Sequence, residues 1–170
     1  MKRFLLFFTF LSVFVMNFTN VHAEDVPFRN QRREIFEVCP VDTNTIVFLG
    51  NSITNFGVWP EIFGSDVKIV NRGISGNYSS EVYDHLDLII SGHPKKIFLM
   101  IGINDTSDPS VVVPNITKII EKVKQDSPQT TLYVESLLPC NRSDRNGMVE
   151  GINTGLKTLC DQKNVTFIDI

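Results

Sequence analysis

The sequence is poor in histidine and cysteine, the side chains that most often hold zinc. Its 170 residues include only three histidines and three cysteines. Cys39, Cys140 and Cys160 lie far apart, without the Cys-x-x-Cys or Cys/His spacing of a zinc site, and this argues against a structural metal. The odd number of cysteines allows one disulfide at most, and the sequence does not determine its pairing.

The chain also lacks a surplus of positive charge. It has 16 Lys and Arg against 19 Asp and Glu, a formal net charge of −3. The nearest approach to a basic cluster is Arg29, Arg32 and Arg33, which are interleaved with Glu34 and Glu37 and predict a solvated helix face. Because no basic stripe is present to neutralise phosphates, nucleic acid is not expected as a partner.

The N-terminal segment differs in composition from the rest of the chain. Lys2 and Arg3 precede a short phenylalanine-rich apolar stretch, and Ala23 stands directly before Glu24 and Asp25. This order predicts a secretory signal peptide over residues 1–23, cleaved after Ala23. The alternative, an uncleaved membrane anchor, is disfavoured because the apolar stretch is short and interrupted by polar residues. We therefore expect export to the periplasm or the medium, without stable membrane insertion after cleavage.

Residues 24–170 alternate between apolar runs and helical patterns. Strands are predicted at 45–49, 67–70, 96–101, 130–135 and 165–170. Helical spacing of apolar residues occurs at 28–39, 59–63, 81–90, 113–125 and 148–162. Such alternation predicts right-handed crossovers and one α/β domain with a parallel five-stranded sheet between helices on both faces.

Polar residues and glycines follow the first three predicted strands, at the points where these strands end. The runs Gly-Asn-Ser, Asn-Arg-Gly-Ile-Ser-Gly and Gly-Ile-Asn-Asp contain Ser52, Gly73 and Asn104. Ligands bind beyond the carboxyl ends of parallel strands, so these three residues are expected to lie close together. Acyl transfer needs this combination, a hydroxyl that attacks and N–H donors that stabilise the oxyanion. Alone, Ser52 could equally be a helix N-cap.

Taken together, the three motifs resemble those of the SGNH hydrolase superfamily, also called GDSL-type esterases and lipases. The most similar branch is the bacterial one related to platelet-activating-factor acetylhydrolase subunits, and the resemblance covers about residues 28–170. It implies that Ser52 is the nucleophile and that Gly73 and Asn104 form the oxyanion hole together with the Ser52 N–H. It also implies a flavodoxin-like three-layer α/β/α sandwich. The implied activity is hydrolysis of carboxylic esters, often acetyl esters of carbohydrates or short acyl esters of lipids, with no cofactor.

Two features depart from the family pattern. Asn51 stands where the first motif commonly has aspartate, and no Asp-x-x-His motif follows the fifth strand, so Asp169 does not match the catalytic aspartate. His85 is expected within a helix and His93 at the amino end of the sheet, both as surface or helix-face residues away from Ser52. The sequence therefore predicts a domain truncated after its fifth strand, with no base for the serine and negligible turnover.

Two other functions stay open at this stage. One is a non-catalytic relative that binds a ligand in the oxyanion pocket. The other is a flavodoxin-like module that binds a flavin or a phosphate at the first turn, although this turn lacks the glycine density of a phosphate-binding loop. Arg72 is expected to be a structural hydrogen-bond donor and Asp105 to order its own loop, while Trp59 and Phe56 are expected in the core.

Overall fold

Five short apolar runs form one parallel sheet. The computed structural model describes residues 25–105, 108–141 and 143–170. The strands lie in the order β2-β1-β3-β4-β5. Their bounds are β1 (Ile46–Gly50), β2 (Ile69–Gly73), β3 (Lys96–Met100), β4 (Thr131–Glu135) and β5 (Thr166–Ile168). The predicted three-layer α/β fold is confirmed, whereas the predicted signal peptide, residues 1–23, lies outside the described residues.

Helices connect the strands. Those in the described ranges are α1 (Asp25–Val38), α2 (Ser52–Asn55), α3 (Trp59–Phe63), α4 (Ser79–Asp84), α5 (Asp87–Ile90), α6 (Val112–Asp126) and α7 (Ser143–Lys163). The single helix predicted over 81–90 forms two short helices, because the chain turns at His85, whose φ is −112°. None of the helices in the described ranges is long and apolar enough to cross a membrane.

One face of the sheet carries the hydrophobic core. Alternate residues along the strands point to this face and are fully buried: Val47, Leu49, Ile97, Leu99 and Val134. Helix α6 packs in the same cluster through buried residues that repeat at helical spacing: Val112, Ile116, Ile119, Ile120 and Val123. The near-continuous apolar composition of the strands reflects a sheet with helices on both sides.

The opposite face carries a row of aromatic rings. Phe48, Phe98 and Tyr133 are stacked across three neighbouring strands, with ring centroids 5.1 and 4.7 Å apart. Trp59 of α3 stacks on Phe48 at 4.0 Å but is only half-buried, so it packs against the aromatic row and is not enclosed in the core as predicted. Phe56 was expected in the core as well, and this was wrong, because 73% of it is exposed.

Helix α1 packs beside β2. Arg29 and Arg32 are partly buried and donate hydrogen bonds to the loop after β2 and to the end of that strand. The predicted solvated face is therefore wrong for these two arginines. Arg33 is also partly buried, although it makes no hydrogen bond to a described residue.

The strand register brings the three predicted motifs to one edge of the sheet. Gly50, the last residue of β1, pairs with Gly73 of β2 on one side and with Met100 of β3 on the other. The loops that follow these residues therefore leave the sheet side by side. These are the loops that contain Ser52, the glycine-rich turn and Asn104.

Candidate active site

Ser52 is the first residue of α2, two residues after the end of β1. The fully buried Asn51 caps this helix, because its Oδ1 accepts the N–H of Ile53 at 3.0 Å. Ser52 is therefore not the N-cap, and that alternative is wrong. Its side chain is half-buried, and its hydroxyl makes no hydrogen bond with any residue in the described ranges. A serine in this state is able to receive a substrate carbonyl.

Asn51 has one amide group without a partner. Its Nδ2 is buried and makes no hydrogen bond with the part of the chain that is described. An aspartate at this position would offer an acceptor oxygen in place of that donor. Asparagine at this position, where the family that the sequence resembles commonly has aspartate, thus keeps the helix cap but leaves a buried N–H group unsatisfied.

The side chain of Asn71 links the end of β2 to the segment that carries Ser52 through hydrogen bonds. Its Nδ2 lies 2.8, 3.0 and 3.2 Å from the carbonyl oxygens of Thr54, Asn55 and Gly57. Its Oδ1 accepts the N–H of Gly73 at 2.9 Å. A Cβ on Gly73 would collide with the backbone of Asn55, so the close approach of these segments requires glycine. The Gly73 N–H, predicted as an oxyanion donor, therefore already has a partner in this structure.

Gly76 offers a second backbone donor in the same turn. It is exposed, has a φ of +79°, and its N–H makes no hydrogen bond within the described ranges. The N–H of Asn77 closes the turn on the carbonyl of Ile74 at 3.2 Å. Gly76 was not predicted from the sequence as a donor. The run contains two glycines, and only the structure shows that the second takes a left-handed conformation.

Asn104 lies in a single 3₁₀ turn, Ile103–Asp105, directly after β3. Its Nδ2 donates to the carbonyl oxygen of Asn77 at 2.9 Å. A primary amide has two N–H bonds, so one remains for a ligand. The structure therefore joins Asn104 to the glycine-rich turn, and Asn71 joins that turn to the segment of Ser52.

Asp105 was expected to order its own loop, but its carboxylate binds the start of the neighbouring helix α4. The buried carboxylate accepts the N–H of Ser79 at 3.0 Å and its Oγ at 2.8 Å, and so caps α4. Asn115 donates to the same hydroxyl at 2.9 Å. Burial raises the pKa of Asp105, while the hydrogen bonds from Ser79 oppose that shift. With both oxygens engaged, Asp105 holds two loops together and is badly placed to take a proton from Ser52.

Neither histidine in the described ranges lies at the edge of the sheet where Ser52 is found. His85 is at the end of α4, which begins beside Asp105 and runs away from the site; its ring centroid is 6.1 Å from that of Phe36. The prediction of a surface residue was wrong, since His85 is buried and burial lowers its pKa to about 4. His93 precedes β3, at the amino end of the sheet, with Nδ1 3.1 Å from Ser127 Oγ.

Arg72 has a structural role, as expected. Its guanidinium is buried, donates to the carbonyl oxygen of Cys39 and lies 4.7 Å from the ring centroid of Phe36.

Cys39 is exposed and Cys160 is buried, and neither is in a disulfide. Within residues 25–105, 108–141 and 143–170, no three His, Cys, Asp or Glu side chains are placed to hold a metal ion together.

Residues 48–170 match the model of the GDSL-like Lipase/Acylhydrolase family. This segment includes Ser52, Gly73 and Asn104 and leaves out α1. Comparison with curated protein sequences gave no significant match.

Solved structures share the fold. A structure from Streptococcus pneumonia, assigned provisionally as a platelet activating factor, is 27% identical with a TM-score of 0.74, and the alignment covers 94% of this chain and 80% of that chain. An acetylxylan esterase from Geobacillus stearothermophilus, solved as a catalytic mutant, is 17% identical with a TM-score of 0.61, covering 76% and 77%. An SGNH-hydrolase family esterase is 13% identical with a TM-score of 0.59, covering 75% and 76%. The last two likenesses are of fold alone. Because the family model matches most of the sequence, this chain belongs to the GDSL-like lipase/acylhydrolase family.

Proposed function

We propose that this chain is an SGNH-type carboxylic ester hydrolase in which Ser52 attacks an acetyl or short acyl ester carried by a carbohydrate or a lipid. The Ser52 Oγ forms a bond to the acyl carbon, the bond from that carbon to the alcohol oxygen breaks, and the serine proton leaves with the alcohol. Water then cleaves the acyl-serine. The observation that carries this proposal is the unpartnered hydroxyl of Ser52 at the sheet edge where two neighbouring loops present N–H donors.

The oxyanion hole would combine donors from three loops. They are the backbone N–H of Ser52, the remaining amide N–H of Asn104, and one backbone N–H of the glycine-rich turn. Gly73 is the sequence-based choice for the third donor, but its N–H is held by Asn71. We therefore assign the third donor to Gly76, whose N–H is unpartnered among the described residues, and give Gly73 the role of close packing against α2. Loss of one such donor typically slows acyl transfer about 10²–10³-fold.

Neither histidine of the described ranges is placed to accept the proton of Ser52, whose hydroxyl makes no hydrogen bond to a described residue. His85 is buried beside α1 and His93 is at the opposite edge of the sheet. General-base catalysis typically contributes about 10²–10⁴-fold to the rate. We therefore propose that the polypeptide of this sequence, by itself, reacts slowly with esters and turns over little.

The missing base also favours a second candidate, a non-catalytic relative that binds an ester or carboxylate in the same pocket. The two candidates differ in the fate of the ligand. A binding protein leaves the ester intact, and Ser52→Ala leaves its affinity unchanged. A slow hydrolase becomes acylated at Ser52.

Trapping of the acyl-serine tests the proposed function. The protein is incubated with an aryl acetate and free imidazole as an added base, and the acetylated residue is mapped by mass spectrometry of peptides. We expect one acetyl group on Ser52 when the reaction is quenched in acid within the first turnovers, before imidazole-assisted deacylation removes it. The matched control is Ser52→Ala, which removes only the hydroxyl. Acetylation that is equal in both proteins, or confined to lysines, would contradict the proposal.

Export is part of the same proposal. The basic start, apolar centre and Ala23 of the first 23 residues support a cleaved signal peptide. The mass of the protein recovered from the periplasm or medium should correspond to a chain that begins at Glu24. Retention of the intact N-terminus in the cell would contradict export.

A further inference from the structure

Helix α1 lies outside the segment that matches the family model, and yet it contacts the glycine-rich turn of the site. Arg32 makes the first contact. Its Nη2 donates to the carbonyl oxygens of Asn71 at 3.0 Å and Gly73 at 3.1 Å, and its Nε lies 3.3 Å from the same Gly73 oxygen. One planar guanidinium therefore holds two carbonyls at the start of the turn.

Arg29 holds the other end of the same turn. It is three residues before Arg32, so both side chains leave the same face of α1. Its Nη2 donates to the Oδ1 of Asn77 at 2.8 Å, and its guanidinium also pairs with the carboxylate of Glu81. The backbone carbonyl of Asn77 accepts the amide of Asn104. Arg29 thus acts on Asn104 through one intermediate residue.

Phe36 anchors the helix that carries these arginines. It follows Arg32 by four residues, only 1% of it is exposed, and its ring centroid lies 5.3 Å from the guanidinium of Arg32 and 4.7 Å from that of Arg72. Arg72 also donates to the carbonyl of Cys39, just beyond α1. Cation–π contacts and burial therefore fix α1 at this end, while Arg29 and Arg32 reach the turn.

We propose that Arg29 and Arg32 are positioning residues of the oxyanion hole, which hold the turn of residues 73–77 and, through Asn77, the amide of Asn104. This inference rests on the proposed function. Arg32 holds two backbone carbonyls at the start of the turn, and Arg29 holds the side chain of Asn77 at its end, so α1 fixes both ends of the segment that carries the Gly76 N–H. Displacement of such donors by an ångström typically slows the reaction about a hundredfold.

The test compares the double variant Arg29→Gln/Arg32→Gln with the single variant Arg33→Gln, both in the full chain. Arg33 lies on the same helix, is equally half-buried and makes no hydrogen bond within the described ranges, so its variant controls for lost charge. We expect the imidazole-assisted acetylation of Ser52 to fall at least about tenfold in the double variant and to stay within about twofold in the control. Affinity for the amide analogue of the ester, which develops no oxyanion, should change in neither.

Conservative variants separate positioning from general stability. Arg29→Lys keeps one donor for Asn77 and should restore the acetylation rate when compared with Arg29→Gln. Arg32→Lys cannot bridge the carbonyls of Asn71 and Gly73 with a planar fork, so it should stay slow. If the double variant does not fold, this pair of single variants decides the question. Equal rates in the two lysine variants would overturn the assigned geometry.

Hydrogen exchange of the backbone amides reports the order of the turn without requiring that Ser52 is acetylated. It therefore tests the positioning role separately from the proposed function. The hydrogen-bonded backbone N–H groups of Gly73, Ile74 and Asn77 should exchange about tenfold faster in the double variant, while those of β3 do not change. If the wild type is never acetylated, the proposed function fails and exchange alone decides whether α1 orders the turn. If the wild type is acetylated and the double variant reacts as fast as Arg33→Gln, the positioning role is wrong and the function stands.

Discussion

At the scale of single residues, Asn51 shows how the turn before the serine is built. Its Oδ1 caps α2, and α2 consists of one turn only. A helix of that length has no stability of its own, so its geometry depends on the cap and on packing. The position of the Ser52 hydroxyl therefore depends directly on Asn51.

Asn51→Ala should destabilise the protein by about 1–2 kcal/mol, because the cap to the N–H of Ile53 is lost at a fully buried position. Asn51→Asp keeps an acceptor at the same atom and removes the unpartnered N–H₂ group. Urea unfolding at pH 7 measures both variants against the wild type. The interpretation of the cap is wrong if the alanine and aspartate variants are equally stable.

The residues of the site were predictable to different degrees. Ser52 and Asn104 follow from their places after β1 and β3, since parallel strands end at a common edge. The sequence could not distinguish Gly73 from Gly76, because that choice depends on which N–H is already hydrogen-bonded. The Oδ1 of Asn71 accepts the Gly73 N–H, and its Nδ2 lies against three backbone carbonyls. The sequence did not identify Asn71 as the residue that engages the Gly73 N–H.

At the scale of elements, the break between α4 and α5 places His85 in the core. Its ring is 4% exposed, packs against Phe36 of α1, and makes no hydrogen bond in the described ranges. Burial, followed by the nearby charge of Arg33, lowers its pKa to about 4, and the opposing influence of Glu81 is weaker. The ring is therefore neutral in the folded protein at neutral pH.

Low pH should lower the free energy of unfolding of the protein, because it favours protonation of His85 in the unfolded chain. The unfolded chain binds a proton at His85 below a pKa of about 6.5, while the folded chain resists it until about 4. Stability is therefore fully present above pH 6.5 and is lost as the pH falls from 6.5 towards 4, by about 2–3 kcal/mol. Urea unfolding of the wild type and of His85→Leu is measured between pH 7 and 4.5. Because the two proteins share all other titratable groups, the difference between their free energies of unfolding reports the protonation of His85. Parallel stability curves for the two proteins would contradict it.

The elements themselves were largely predictable, but their contacts were not. The apolar runs predicted all five strands; the ends of β1, β3 and β4 differ from the observed ones by one residue, and those of β2 and β5 by up to three. The arginines of α1 were assigned to solvent because they alternate with Glu34 and Glu37. The buried Phe36 sets the orientation of α1 and so determines which of the three arginines face the protein. The alternation of arginine and glutamate in the sequence does not reveal that orientation.

At the scale of the whole molecule, topology determines what the site contains. The order β2-β1-β3 places the loops after β1, β2 and β3 next to one another. These loops carry Ser52, the glycine-rich turn and Asn104. The amino end of the sheet, where His93 lies, is on the far side of the strands. The described part of the fold thus brings together the residues proposed as nucleophile and oxyanion donors, and neither histidine of the described ranges lies beside them.

Chemical rescue by imidazole tests this view most directly. Hydrolysis of an aryl acetate is measured against imidazole concentration for the wild type, and the rate with Ser52→Ala is subtracted to remove catalysis by imidazole itself. The remaining rate should be close to zero without imidazole, should rise at least about tenfold as imidazole supplies the base, and should fall about 10²–10³-fold in Asn104→Ala. Equal rates for wild type and Ser52→Ala at every concentration would show that Ser52 is not the nucleophile. Rapid Ser52-dependent hydrolysis without imidazole would show that the protein already has a base.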